Sequence, residues 1–135
     1  MSQVNPPYRA DVVGRFLRPK ELLDARHAFQ AGKLDRASLT ALEDRLIKDL
    51  VEKEVKNGLK AVTDGEFRRS FWHLDFLAGL SGLHHVKAEH WSVHFEGFQP
   101  KAETVVIEDR IRFPKDHPFV EAYDRLKALA GDTPI

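Results

Sequence analysis

Lys60-Ala61-Val62-Thr63-Asp64-Gly65-Glu66-Phe67-Arg68-Arg69-Ser70 is the stretch on which the fold turns. Ahead of it a long amphipathic pattern ends in Asn57-Gly58, a favourable helix stop; within it a short β-prone run breaks at Gly65, between two carboxylates. The order is helix, strand, loop. In α/β proteins ligands bind where strands end at their carboxyl edge, so Asp64, Gly65 and Glu66 are candidate binding residues. Alternate side chains of an extended backbone share a face, which points positions 64 and 66 the same way. The local pattern also leaves open an acidic turn whose carboxylates pair with Arg68 and Arg69 in solvent.

Working back towards the N-terminus, Asp35 is a plausible N-cap for a helix with Leu39, Leu42, Leu46, Leu50 and Val51 on one face. Its charges, among them Glu43, Glu52 and Lys56, read as the solvated side. Arg9-Ala10-Asp11-Val12-Val13-Gly14 is a short apolar strand stopped by glycine. Pro19 then suits the first turn of a helix that runs to about Ala31-Gly32 and buries Leu22, Ala25 and Phe29. Arg15 and Arg18 lie just before the positive end of that helix, where they are either an anion site or ordinary surface arginines. Residues 1–66 thus read as a βαβ unit with a right-handed crossover.

Downstream, residues 67–89 are expected to form a loop and short helix, dense in large apolar groups from Phe71 to Leu80. From His90 to Phe98 Trp91, Val93 and Phe95 alternate with polar residues, and Thr104–Ile107 with Arg110–Phe113 return, so 90–113 reads as a β-hairpin insertion. Residues 117–131 read as a helix ended by Gly131. His90 and His94 have zinc-protease spacing only on a helix; on a strand their Cα atoms are about 13 Å apart, too far to share an ion unaided. His84 and His85 point apart on an extended backbone.

The 135 residues suffice for one domain with a modest core, and 42% hydrophobic with 31% charged content is that of a soluble globular protein. Lys plus Arg and Asp plus Glu are 21 each, so no basic field exists to attract nucleic acid or anionic lipid. No secretory layout opens the chain and no apolar run of about 18 residues occurs, which gives a cytoplasmic expectation. Zero cysteine excludes disulfides, a thiol nucleophile and thiolate metal ligands within this chain.

Asp11-Val12-Val13-Gly14-Arg15-Phe16-Leu17-Arg18-Pro19, with Val62-Thr63-Asp64-Gly65-Glu66-Phe67-Arg68-Arg69-Ser70-Phe71-Trp72-His73-Leu74-Asp75-Phe76, resembles the start of the cobalamin-independent methionine synthase family. The likeness is closest to the short bacterial members that correspond to the catalytic barrel alone, and it continues through Ile111-Arg112-Phe113-Pro114 to Thr133-Pro134. The resemblance implies a (β/α)8 TIM barrel in which zinc activates the thiol of homocysteine for methyl transfer from a methylated folate. It also implies that Glu66 binds the homocysteine amino group, with Asp64 supporting the loop around Gly65. The family's strand-one motif is usually Gly-Ser-Phe and holds the amino-acid carboxylate. Here it is Gly14-Arg15-Phe16, which departs from the serine contact: the guanidinium either meets the same carboxylate, or by its bulk fills the subsite, or turns outward.

A complete barrel needs about 250 residues, so this α/β chain is expected to be the N-terminal portion of one, bearing a hairpin insertion. The family's zinc ligands belong to later strands. The chain is therefore expected to supply substrate-binding residues and no metal ligands, to be inactive alone, and to form a homo-oligomer or join a complementing C-terminal barrel portion that covers its open edges. A non-catalytic binding or assembly module is the alternative. Acid–base hydrolysis by Asp64 and Glu66 is weaker, since strand neighbours about 6 to 7 Å apart cannot flank a scissile bond from opposite sides.

Overall fold

The computed structural model describes residues 12–88, 96–97 and 102–135. The chain divides into two compact units, Met1–Arg68 with Ala122–Ile135, and Arg69–Glu121.

The first unit is built on α1 (Lys20–Gln30) and α2 (Arg36–Lys56). Asp35 caps α2 as expected: its Oδ1 accepts the Ser38 N–H at 2.7 Å, and the hydrogen bonds from Ser38 hold its carboxyl below the ordinary value. At the other end the Asn57 and Gly58 N–H groups close on the carbonyls of Lys53 and Val55, with Gly58 at φ +88°. Leu39, Leu46, Ile47, Leu50 and Val51 of α2 pack with Leu22 of α1 and with Val62, Phe67 and Ala130. A fully buried aliphatic side chain of this kind contributes about 2 kcal/mol.

The same stripe of α2 carries two acids. Glu43 and Glu54 are each only 3% exposed, so the reading of Glu43 as part of a solvated face is corrected. Positions 39, 43, 46, 47, 50 and 54 recur at helical spacing, and an acid on that stripe is buried with its helix if partners meet it. They do: Arg26 and Arg68 reach Glu43, and Thr63 reaches Glu54.

The two parallel strands expected in residues 1–66 do not form as ladders in the described residues. Residues 12–19 and 62–64 belong to no strand, and Phe16 N–H donates to Gly65 O at 3.2 Å. On the next edge Val62 N–H donates to Pro134 O at 2.9 Å. A strand is stabilised by repeated bonds to its neighbours, and among the described residues these segments are not laddered into a sheet. The earlier part of the first expected strand, residues 9–11, lies outside the described residues.

The second unit contains α3 (Leu74–Ala78) and an antiparallel pair, β1 (Ser81–Lys87) and β2 (Glu103–Arg112). The register sets Leu83 opposite Ile107, His85 opposite Val105 and Lys87 opposite Glu103. The returning strand falls where the sequence puts it, but its partner is residues 81–87, which were expected in a loop. The partner first expected, residues 90–98, lies outside the described residues except for 96 and 97, and so do His90 and His94. Gly82 and the adjacent His84-His85 obscure the alternation of β1. Across the ladder His85 meets Glu103 at 2.9 Å and His84 meets Glu108 at 3.3 Å. Gly82, at φ +85°, sits at a bulge where an added Cβ would lie 2.6 Å from the Asp109 carbonyl oxygen.

α4 (Pro118–Ala130) closes the chain as expected. Before it stands His117, 1% exposed. Its Nδ1 accepts the Phe119 N–H at 3.1 Å and its Nε2 lies 3.0 Å from the Phe76 carbonyl oxygen, so the proton belongs on Nε2. Phe76, Phe113 and Phe119 surround the imidazole, and Arg69 lies over the Phe119 ring at 4.3 Å.

Candidate functional site

The loop Thr63–Phe67 is locally determined. Gly65 has φ +62° and Glu66 has φ +56°, the only described non-glycine residue with positive φ. That conformation costs a non-glycine residue about 1 kcal/mol and persists only where its surroundings enforce it. The expectation that an extended backbone points 64 and 66 the same way is therefore corrected: the chain turns at 65 and 66. Asp64 makes the turn itself. Its Oδ1 accepts the Glu66 N–H at 2.9 Å and its carbonyl oxygen accepts the Phe67 N–H at 3.1 Å, an Asx-type arrangement.

Every backbone polar group of Gly65 and Glu66 has a partner. The Gly65 N–H donates to Thr63 Oγ1 at 3.1 Å and its carbonyl oxygen accepts from Phe16 N. The Glu66 carbonyl oxygen accepts from Arg18 Nη2 at 2.9 Å. Glycine at 65 is also required by space, because a Cβ there would lie 2.5 Å from Leu50 Cδ2 and 3.3 Å from Phe16 Cβ.

A chain of charges braces the far side of the loop. Arg26 Nη2 donates to the Phe67 carbonyl oxygen and, at 3.1 Å, to Glu43 Oε1. Arg68 joins Glu43 Oε2, at 3.3 Å, to Asp44, whose other oxygen accepts from Arg125 at 2.8 Å. Arg68 thus pairs with acids of α2 rather than with the loop carboxylates expected of it in the solvated-turn alternative. At the loop's start, Glu54 accepts from Thr63 N at 3.2 and 3.3 Å and from Thr63 Oγ1 at 3.3 Å. Burial pushes the Glu54 carboxyl above its ordinary value, the Thr63 hydrogen bonds oppose this, and the nearby Asp64 charge adds to it.

The structure therefore brings Asp64, Gly65 and Glu66 against the segment that follows Gly14 and Arg15. Glu66 and Asp64 are half-buried; Gly14, at φ +88°, and Arg15 are exposed. Arg18 is half-buried and grips the loop. Sequence reasoning missed Arg26, Glu43, Glu54 and Thr63. The signal for the two acids was their place in the apolar period of α2; nothing local marks Arg26 or Thr63. Among the described residues no three His, Asp or Glu side chains are grouped to hold a metal ion, and no helix is long and apolar enough to cross a membrane.

No family model matches the chain. It is similar to two proteins of Bacillus subtilis (strain 168), the uncharacterized proteins YxjG and YxjH, at 39% identity over 132 residues and 38% over 131. These alignments cover 98% and 96% of this chain and 34% of each relative. Among solved structures it is similar to the "Putative Vitamin-B12 Independent Methionine Synthase" from Listeria monocytogenes, at 39% identity and a TM-score of 0.73. That likeness covers 96% of this chain and 34% of the other. The chain spans about a third of the length of the relatives it matches, and it shares its α/β fold with the matched part of the Listeria monocytogenes structure.

Proposed function

We propose that this chain supplies the homocysteine-binding portion of a cobalamin-independent, zinc-dependent methionine synthase-like methyltransferase. The observation that carries the reading is the interlock of residues 16–18 with Gly65 and Glu66, which joins the two segments that the family uses to hold the amino acid. The likeness to the Listeria monocytogenes protein supports it over nearly the whole chain. So does the neighbour order of three successive segments: 16 meets 65, and 62 meets 134. A (β/α)8 barrel begins in this way, with each new strand laid beside the last.

In this reading the Glu66 carboxylate accepts hydrogen bonds from the ammonium group of homocysteine, and Asp64, one residue before the turn, adds a second negative charge to the same neighbourhood. Gly14 and Arg15 meet the carboxylate end. In this reading zinc and the methylated folate are handled by other polypeptide, as the resemblance to the family implies. This chain's own residues bind and orient the amino acid; they do not activate a thiol whose ordinary pKa is about 8.5.

The test is complementation. The chain is mixed with a polypeptide corresponding to the remaining two thirds of the Listeria monocytogenes protein, with zinc, methylated folate and homocysteine. Methionine formed only when both polypeptides are present supports the reading. A folded complex that forms no methionine, beside a full-length control that does, overturns it.

A further inference from the structure

We propose that Arg18 is a positioning residue for Glu66, holding the acid's backbone in its left-handed turn so that the carboxylate is presented in one direction. The inference deepens the reading of Glu66 as an ammonium acceptor and rests on it for its functional consequence. Its geometric part stands alone.

A side chain leaves its Cα in a direction fixed by the two flanking peptide planes. For Glu66 both planes are pinned. The preceding plane is held through its N–H by Asp64 Oδ1 at 2.9 Å, and the following plane through the Phe67 N–H by the Asp64 carbonyl oxygen at 3.1 Å and through its own carbonyl oxygen by Arg18 Nη2 at 2.9 Å. Asp64 is local and forms its bond wherever the Asx-type turn forms. Arg18 reaches the loop from 48 residues away. It therefore ties the carbonyl side of Glu66 to the segment bearing Gly14 and Arg15. The same segment also fixes Gly65, since Phe16 N donates to the Gly65 carbonyl oxygen two residues before Arg18. Pro19 restrains Arg18 to extended backbone, so residues 16 and 18 present their groups to the loop from adjoining positions on one run.

The guanidinium also suits the task by chemistry. It stays charged at any physiological pH and delivers a planar donor to a carbonyl with little loss of freedom, whereas an ammonium is a rotating point charge.

The experiment compares wild type, Arg18→Met and Arg18→Lys as full chains labelled with ¹⁵N. Three quantities are read: the three-bond HN–Hα coupling and amide exchange rate of Glu66, the melting temperature, and the affinity for L-homocysteine. The proposal expects Arg18→Met to raise Glu66 amide exchange by about tenfold or more and to shift its coupling, with homocysteine affinity falling by a similar factor. Exchange in the middle of α2 stays unchanged, and Arg18→Lys recovers part of each effect. An unchanged Glu66 coupling and exchange rate in Arg18→Met overturns it. If Arg18→Met does not fold, Arg18→Lys decides by the same coupling and exchange readouts. If wild type binds no homocysteine, the ammonium-site reading falls, while the coupling and exchange still decide whether Arg18 holds the turn.

Discussion

Arg18 donates from Nη2 to the carbonyl oxygen of Glu66 at 2.9 Å, joining a residue before α1 to the turn that follows α2. This bond, with that from Phe16 N to Gly65 O, makes the Glu66 turn a product of long-range structure as well as of its own sequence.

Gly65→Ala will destabilise the chain by about 2 kcal/mol or more, because it places a methyl group 2.5 Å from Leu50 Cδ2 at a backbone φ of +62° that alanine resists. Urea denaturation of the two proteins checks this. Equal midpoints would mean that the turn relaxes freely.

Glu43→Ala leaves Arg26 and Arg68 facing each other without the carboxylate they share, in a site where Glu43 is almost fully covered. Breaking a buried ion pair from one side costs about 3 kcal/mol. A loss below about 1 kcal/mol by chemical denaturation would show that water enters and replaces the carboxylate.

Glu54 gives the stability a pH dependence of definite sign. Its folded carboxyl is raised above the ordinary 4.5, mainly by burial, so the native state binds its proton more tightly than the unfolded chain does. The resulting contribution is complete below pH 4.5 and is lost as pH rises through the raised folded value. Denaturation midpoints measured upward from pH 4 will therefore contain a falling component that is absent in Glu54→Gln. Identical pH profiles for the two proteins would remove this assignment.

Val13 and Leu17 are 94% and 95% exposed. Exposed apolar groups of this kind favour association. Light scattering after size exclusion will give a mass above that of one chain at micromolar concentration, returning to one copy per complex when a complementing barrel portion is supplied. A stable monomer of the isolated chain contradicts this.

Much of the helical part of the fold was legible because its signals are local: the Asp35 cap, the Asn57-Gly58 stop and the apolar stripe of α2 lie within a few turns of one another. The β part was less so. β2 shows its β-branched run openly, whereas β1 hides its period behind Gly82 and two histidines, and its partner could be found only in three dimensions. The site divides in the same way. Asp64-Gly65-Glu66 announces a turn between carboxylates, but the left-handed φ of Glu66 depends on Phe16 and Arg18, far away in sequence. Glu43 and Glu54 looked like solvated charge because the residues that meet them, Arg26, Arg68 and Thr63, come from other elements.

The central claim is that Glu66 receives the ammonium group of an amino-acid substrate, and calorimetric titration with L-homocysteine tests it most directly. A charge-assisted hydrogen bond lost in Glu66→Gln is worth about 1.5 to 3 kcal/mol, so the account predicts that wild type binds and that the variant binds about 10- to 100-fold more weakly. Equal affinity in the two proteins, or no heat of binding from a folded wild type, would contradict it.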